Sequence, residues 1–125
     1  MNHELMDVAI LTAKYTPPVA RAKVAAVVAC RNRIIAGGTN KLKTHPMAKH
    51  WGRNPDACYL HAEIDAIYKA DRVANLGGMH LYVARTWKNG EAAMSKPCSG
   101  CQKAINFFGI KHTFYTMGNG KYGEL

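Results

Sequence analysis

Between residues 4 and 14 apolar side chains fall at Leu5, Met6, Val8, Ala9, Ile10, Leu11 and Ala13. That spacing predicts a helix with a broad buried side. Thr16-Pro17-Pro18 stops it, because proline lacks the N–H that a continuing helix needs. Residues 24–29 (VAAVVA) are instead one continuous apolar run rich in β-branched side chains, which predicts a central strand covered on both faces. Arg31-Asn32-Arg33 turns the chain, and residues 34–38 (IIAGG) read as the hairpin partner. The stretch after Asn40 contains Pro46, Gly52 and Pro55 and has no period. Loops that long inside a compact domain usually serve function.

Periodicity returns near Asp56, a cap for a helix starting at residue 57 or later and ending at Lys69. Its buried side would carry Leu60, Ile64, Ile67 and Tyr68. Leu76-Gly77-Gly78 closes that region and residues 79–84 predict a third strand. Residues 87–96 are polar and irregular, 98–108 fit a second long helix closed by Gly109, and 110–117 predict a fourth strand. Gly118-Asn119-Gly120 turns into a short tail. A hairpin followed by strand–helix–strand alternation predicts an α/β protein. The expected architecture is a three-layer α/β/α sandwich, one mixed sheet with helices on both faces.

At 125 residues and 48% apolar, with 20% charged, the chain can bury one core, so residues 1–125 are expected to form a single domain. Disordered, fibrous and disulfide-stapled classes are excluded. No stretch reaches the roughly 18 apolar residues of a membrane span, so no membrane partner is expected. Asp7 interrupts the apolar run at the N-terminus, which argues against a secretory leader and for a cytoplasmic location. In that reducing setting the four cysteines read as ligands, catalysts or core residues rather than disulfides. The net charge is +9, and residues 1–53 hold nine Lys/Arg against Glu4 and Asp7. Such a basic half favours an anionic partner, either a nucleotide or a nucleic acid.

Two short motifs carry the chemistry. His61-Ala62-Glu63 sits near the start of one helix and Pro97-Cys98-Ser99-Gly100-Cys101 at the start of the next. Cys98 and Cys101 are three residues apart, so their sulfurs share one side of a helical turn. A helix N-terminus favours thiolates, the form that a metal binds. One histidine and two cysteines make a three-ligand zinc site that keeps a fourth position for water. Glu63, two residues past the histidine, can reach that water without being a ligand. Zinc lowers the pKa of bound water towards neutral, and a carboxylate can then carry its proton. A CxxC pair alone also occurs in redox and structural settings. The combination H-x-E…P-C-x-x-C is a signature of zinc deaminases of nucleobases.

On these residues the chain resembles the cytidine deaminase-like superfamily, and within it the deoxycytidylate deaminases most. The similarity runs over residues 20–117 and includes VAAVVACRNRIIAGGTN, HAEIDAIYKA, LYVA and KPCSGCQKAINFFGIKHTFYT. It implies zinc ligation by His61, Cys98 and Cys101, and proton transfer by Glu63. It also implies that the Ala62 amide and the Lys96 carbonyl meet the base, that Asn40 contacts the sugar, and that the protein is a homo-oligomer. Two departures touch the phosphate end of the substrate. Residues 85–95 form a longer link between LYVA and PCxxC than many relatives have, and the family's fifth strand is expected to be short or missing.

Other residues have competing readings. Cys58 precedes His61 by three, so Cys58, His61, Cys98 and Cys101 could make a closed Cys3His site in a non-enzymatic zinc module. Glu63 argues against that, having no task in a sealed site. Cys30 reads as core, Asp65 as solvated, and Arg85 and Lys88 as weaker candidates for a phosphate contact. His45 and Trp51 are loop residues that could touch a substrate. The sequence-based reading is therefore zinc-dependent hydrolytic deamination of the cytosine base of a free nucleotide or nucleoside, with dCMP preferred. The alternatives are a deaminase of cytosine or adenine in single-stranded DNA or RNA, and the closed zinc module.

Overall fold

The run at residues 24–29 becomes β1 (Lys23–Cys30), and its alternation assigns the two faces of the sheet. The computed structural model describes residues 1–19, 22–42 and 59–125, and all statements below concern these. Ala25, Val27 and Ala29 face one helix layer, whereas Ala26 and Val28 face the other. A strand buried on both faces needs apolar residues at every position, which is why the run is unbroken. β2 (Arg33–Thr39) pairs antiparallel with β1, and β5 (His80–Thr86) pairs antiparallel on the other side. β7 (His112–Gly118) lies parallel to β5, and β8 (Lys121–Glu124) closes the order β2-β1-β5-β7-β8. The mixed sheet with helices on both faces is the architecture expected from the pattern.

On one face lies α1 (His3–Lys14), whose N-terminus is capped by the Asn2 side chain accepting from the Glu4 and Leu5 amides at 3.0 and 3.3 Å. Leu5, Met6, Ala9 and Ala13 of α1 pack on Ala25, Val27, Tyr82 and Ala84. Each larger apolar side chain buried there contributes about 1.5–3 kcal/mol. The opposite face carries α2 (Ala62–Asp71) and α3 (Ser99–Phe107). Ile64, Ile67, Cys101, Ala104 and Ile105 share a core there with Val28, Leu81 and Val83. Gly38 of β2 lets α2 approach closely: a Cβ built there would stand 2.4 Å from the Ala66 nitrogen and 2.6 Å from the Ala62 oxygen. Gly109 ends the α3 region with φ 73, the left-handed conformation that glycine adopts freely.

The structure refines several expectations. Residues 41–42 and 59–60 pair as two-residue strands, β3 (Lys41–Leu42) and β4 (Tyr59–Leu60). The irregular segment 87–96 contains β6 (Ala92–Ala93), paired with the end of β5. The tail after Gly120 is the strand β8, so the short fifth strand is present. Cys30, expected in the core, is exposed, because it lies at the hairpin end of β1, beyond the packed layers. Asp56 and residues 43–58, including His45, Trp51 and Cys58, lie outside the described residues. No described helix is long and apolar enough to cross a membrane.

Candidate active site

The two helices that share one face of the sheet begin close together, and each begins with an unusual residue. His61 is the N-cap of α2 and Cys98 the N-cap of α3, and neither side chain makes a capping hydrogen bond. A capping Ser, Asp or Asn would stabilise each helix by about 1 kcal/mol. These two positions instead direct their donors at each other. His61 Nδ1 lies 3.6 Å from Cys98 Sγ and 3.4 Å from Cys101 Sγ. The donor atoms of His61, Cys98 and Cys101 all fall within 4.8 Å of one another.

Tetrahedral zinc, with about 2.3 Å to sulfur and 2.0–2.1 Å to nitrogen, sets S···N edges at about 3.6 Å. The observed separations fit that ion. The thiols are already polarised for it. The hydrogen bond from Cys101, with help from His61, holds Cys98 down at about 3 despite burial. The same hydrogen bond and burial push Cys101 up, so the pair shares one proton that a dication can replace.

Glu63 sits in the first turn of α2, only 5% exposed. Burial pushes its carboxyl up, and its own backbone amide and His61 act in the opposite sense. His61, Ala62, Glu63, Cys98, Asn40 and Lys96 all line one cavity of about 430 Å³, a volume in the range of small-ligand sites. Every site residue expected from the sequence except Cys101 thus lines this cavity. Cys101 is 1% exposed and sits behind it. The carboxamide of Asn40 is held firmly, accepting from the Val24 amide and donating to the Ala22 carbonyl, both at 3.0 Å.

The family described as the cytidine and deoxycytidylate deaminase zinc-binding region matches residues 1–117. The chain belongs to that family. It is a zinc-dependent nucleotide or nucleoside deaminase. Among solved structures it is similar to the dCMP deaminase of cyanophage S-TIM5 in apo form, at 24% identity and TM-score 0.67 over 94% of this chain and 83% of that one. The structure of the phage enzyme in complex with dCMP and dUMP matches at TM-score 0.61, with 24% identity over 90% and 78%. Cytidine deaminase from Burkholderia pseudomallei gives TM-score 0.68 at 15% identity, covering 100% and 91%. Guanine deaminase from Bacillus subtilis gives 0.61 at 28%, covering 94% and 65%. A search of curated proteins found no match.

Two features of the enzyme's site escape the sequence reading, although the i,i+4 spacing of Asp65 and Lys69 is a local signal for one ion pair. Asp65, expected to be solvated, is buried at 8% exposure and accepts from Lys41 Nζ at 2.7 Å, Lys69 Nζ at 3.1 Å and the Thr39 amide at 3.1 Å. It therefore fastens the residues on either side of Asn40 to α2. Burial raises the Asp65 pKa, but these three donors outweigh it and leave the carboxyl below its ordinary value. The folded state thus gains stability above the unfolded carboxylate pKa and loses it as pH falls through the lower folded value. Both lysines are half-exposed, so Asp65→Asn is expected to lower stability at pH 7 by about 1 kcal/mol. The gap should narrow only below about pH 4. Urea unfolding of both proteins across pH checks this, and a pH-independent gap would contradict the ion-pair account.

The second feature is the Ser95–Thr116 pair. Thr116 Oγ1 donates to the Ala93 carbonyl at 2.6 Å, the Thr116 amide donates to Ser95 Oγ at 2.9 Å, and the two hydroxyls lie 2.8 Å apart. This buried cluster ties the segment entering the cysteine motif to β7.

Proposed function

We propose that the protein hydrolyses the exocyclic amine of the cytosine base of a free nucleotide, with dCMP preferred over the nucleoside. Residues 1–125 would act as one domain. In this reading His61, Cys98 and Cys101 hold the zinc. When bound, zinc supplies a Lewis acid that makes water acidic enough to deprotonate near neutral pH. Glu63 accepts that proton and passes it to N3 as oxygen adds at C4, then takes the proton of the new C4 hydroxyl and gives it to the departing amine as the C4–N bond breaks. Cytosine and water become uracil and ammonia. The N–H of Ala62 lies in the first turn of α2 and is not consumed by the helical ladder. It is thereby available to an acceptor on the base, with the Lys96 carbonyl available to a donor. Asn40, fixed by β1, faces the sugar.

The observation that carries this reading is the presence of Glu63 and the donors His61 and Cys98 on one cavity wall. The phage enzyme with a similar fold is one whose structure was obtained with dCMP and dUMP, which supports the choice of base. The basic half of the chain supports a phosphorylated substrate. A reducing cytoplasm suits the paired thiols, and the resemblance to the deoxycytidylate deaminases supports a homo-oligomer. The +9 charge also favours a second reading, cytosine or adenine within a polynucleotide. Ammonia release from dCMP, CMP, deoxycytidine, guanine, adenosine and a single-cytosine oligonucleotide tests both. The expected result is the highest kcat/KM for dCMP. Turnover confined to guanine or to the oligonucleotide would overturn the reading.

A further inference from the structure

Arg85 has an unexplained buried donor. Its Nε is enclosed and has no hydrogen-bond partner among the described residues, whereas buried polar groups in folded proteins nearly always have one. Alternation along β5 explains where the side chain lies. Leu81 and Val83 belong to the core beneath α2 and α3, so Arg85 falls on that same face and lines the cavity with Glu63 and His61. Its guanidinium carbon stands 4.9 Å from the centre of the Trp87 ring, which offers it a flat, attractive surface.

The surroundings order the cavity from end to end. Arg85 pairs across the sheet with Val24, the residue whose amide binds the Asn40 carboxamide. On its other side it pairs with Ala93 of β6, three residues before Lys96. Arg85 and Asn40 are therefore neighbours across the end of β1, and Glu63 belongs with the metal donors. Among the described lining residues Glu63 is the only acid, and Arg85 and Lys96 add two cations. A guanidinium presents a planar fork of donors that matches a phosphate better than an ammonium does.

We infer that Arg85 is the specificity-determining residue for the phosphate of the nucleotide substrate. This rests on the deamination reading above. It adds a role for the link at residues 85–95, where the sequence departs from many relatives.

The test compares zinc-loaded wild-type protein with Arg85→Gln and Arg85→Lys, measuring ammonia release from dCMP and from deoxycytidine. The wild-type protein should prefer dCMP. Arg85→Gln should lower kcat/KM for dCMP by about 10–100-fold, mainly through KM, while deoxycytidine changes less than about twofold. Arg85→Lys should show a smaller loss with the same selectivity, and it serves alone if the glutamine variant does not fold. Equal losses on both substrates, or no wild-type preference for dCMP, would overturn the assignment. If cytosine compounds release no ammonia, the pairs GMP/guanosine and AMP/adenosine take their place. A phosphate preference there that Arg85→Gln removes keeps Arg85 and overturns only the choice of base. With no turnover in any pair, calorimetric titration with inorganic phosphate decides: weaker binding by Arg85→Gln supports the role, and unchanged binding overturns it.

Discussion

Replacing Glu63 with alanine is expected to leave the zinc bound and to lower ammonia release by about 10²–10⁴ or more. Glu63 is not among the three clustered donors, so its removal takes no ligand from the metal. It is nearly fully buried beside them, so bulk water is a poor substitute for its carboxylate. In the proposed mechanism one group serves successive proton transfers, which would place the loss at the upper end of that range. Glu63→Gln keeps the volume and removes only the acid–base function, so a similar loss in that variant would separate proton transfer from packing. Zinc content and ammonia release should be measured on the same preparations. Zinc lost together with the fold, or activity kept above about a tenth, would count against the mechanism.

Loss of a cysteine ligand should have the largest effect on stability. Cys98→Ala and Cys101→Ala are each expected to abolish retention of the roughly one zinc per chain. In the proposed site the metal would join the starts of α2 and α3, whose donors are 37 and 40 residues apart in sequence. A ligand that binds only the folded state at about a thousand times its Kd stabilises by about 4 kcal/mol. For a chain of this size that corresponds to about 10–20 °C in Tm. Chelation of the wild-type protein should produce a similar fall, reversed by added zinc. Full zinc retention in both variants, or a Tm that ignores the chelator, would remove these residues as ligands.

Much of the fold is legible along the chain because burial has a local signature. Residues 24–29 of β1 have to be apolar throughout because the strand is covered on both faces, and α1 has to repeat its apolar side chains with the helical period because it is covered on one side. Pro17 and Gly109 mark boundaries through backbone constraints of their own. The short strands β6 and β8 carry no such signature. They are ordered by pairing with β5 and β7, whose positions depend on the rest of the sheet. Cys30 and Asp65 were misread for a related reason. Exposure at a strand end, or burial on a helix, depends on what the neighbouring elements cover.

The candidate site divides in the same way. His61, Glu63, Cys98 and Cys101 stand out in the sequence as candidates because metal ligation and proton transfer demand particular side chains at particular short spacings, and those spacings survive in one dimension. The sequence by itself thus determined the chemistry available to this protein: two thiols, an imidazole and a nearby carboxylate at the starts of two helices. Only the tertiary structure decided that the two helix starts meet, because the sheet face beneath both helices sets their approach and Gly38 permits α2 to sit against β2. It alone also decided that Asp65 braces the Asn40 segment, and that Arg85, whose enclosed Nε has no partner among the described residues, lines the cavity. Those arrangements depend on which strand lies beside which, and the pairing energy that selects neighbours is spread over the whole sheet rather than written at any one position.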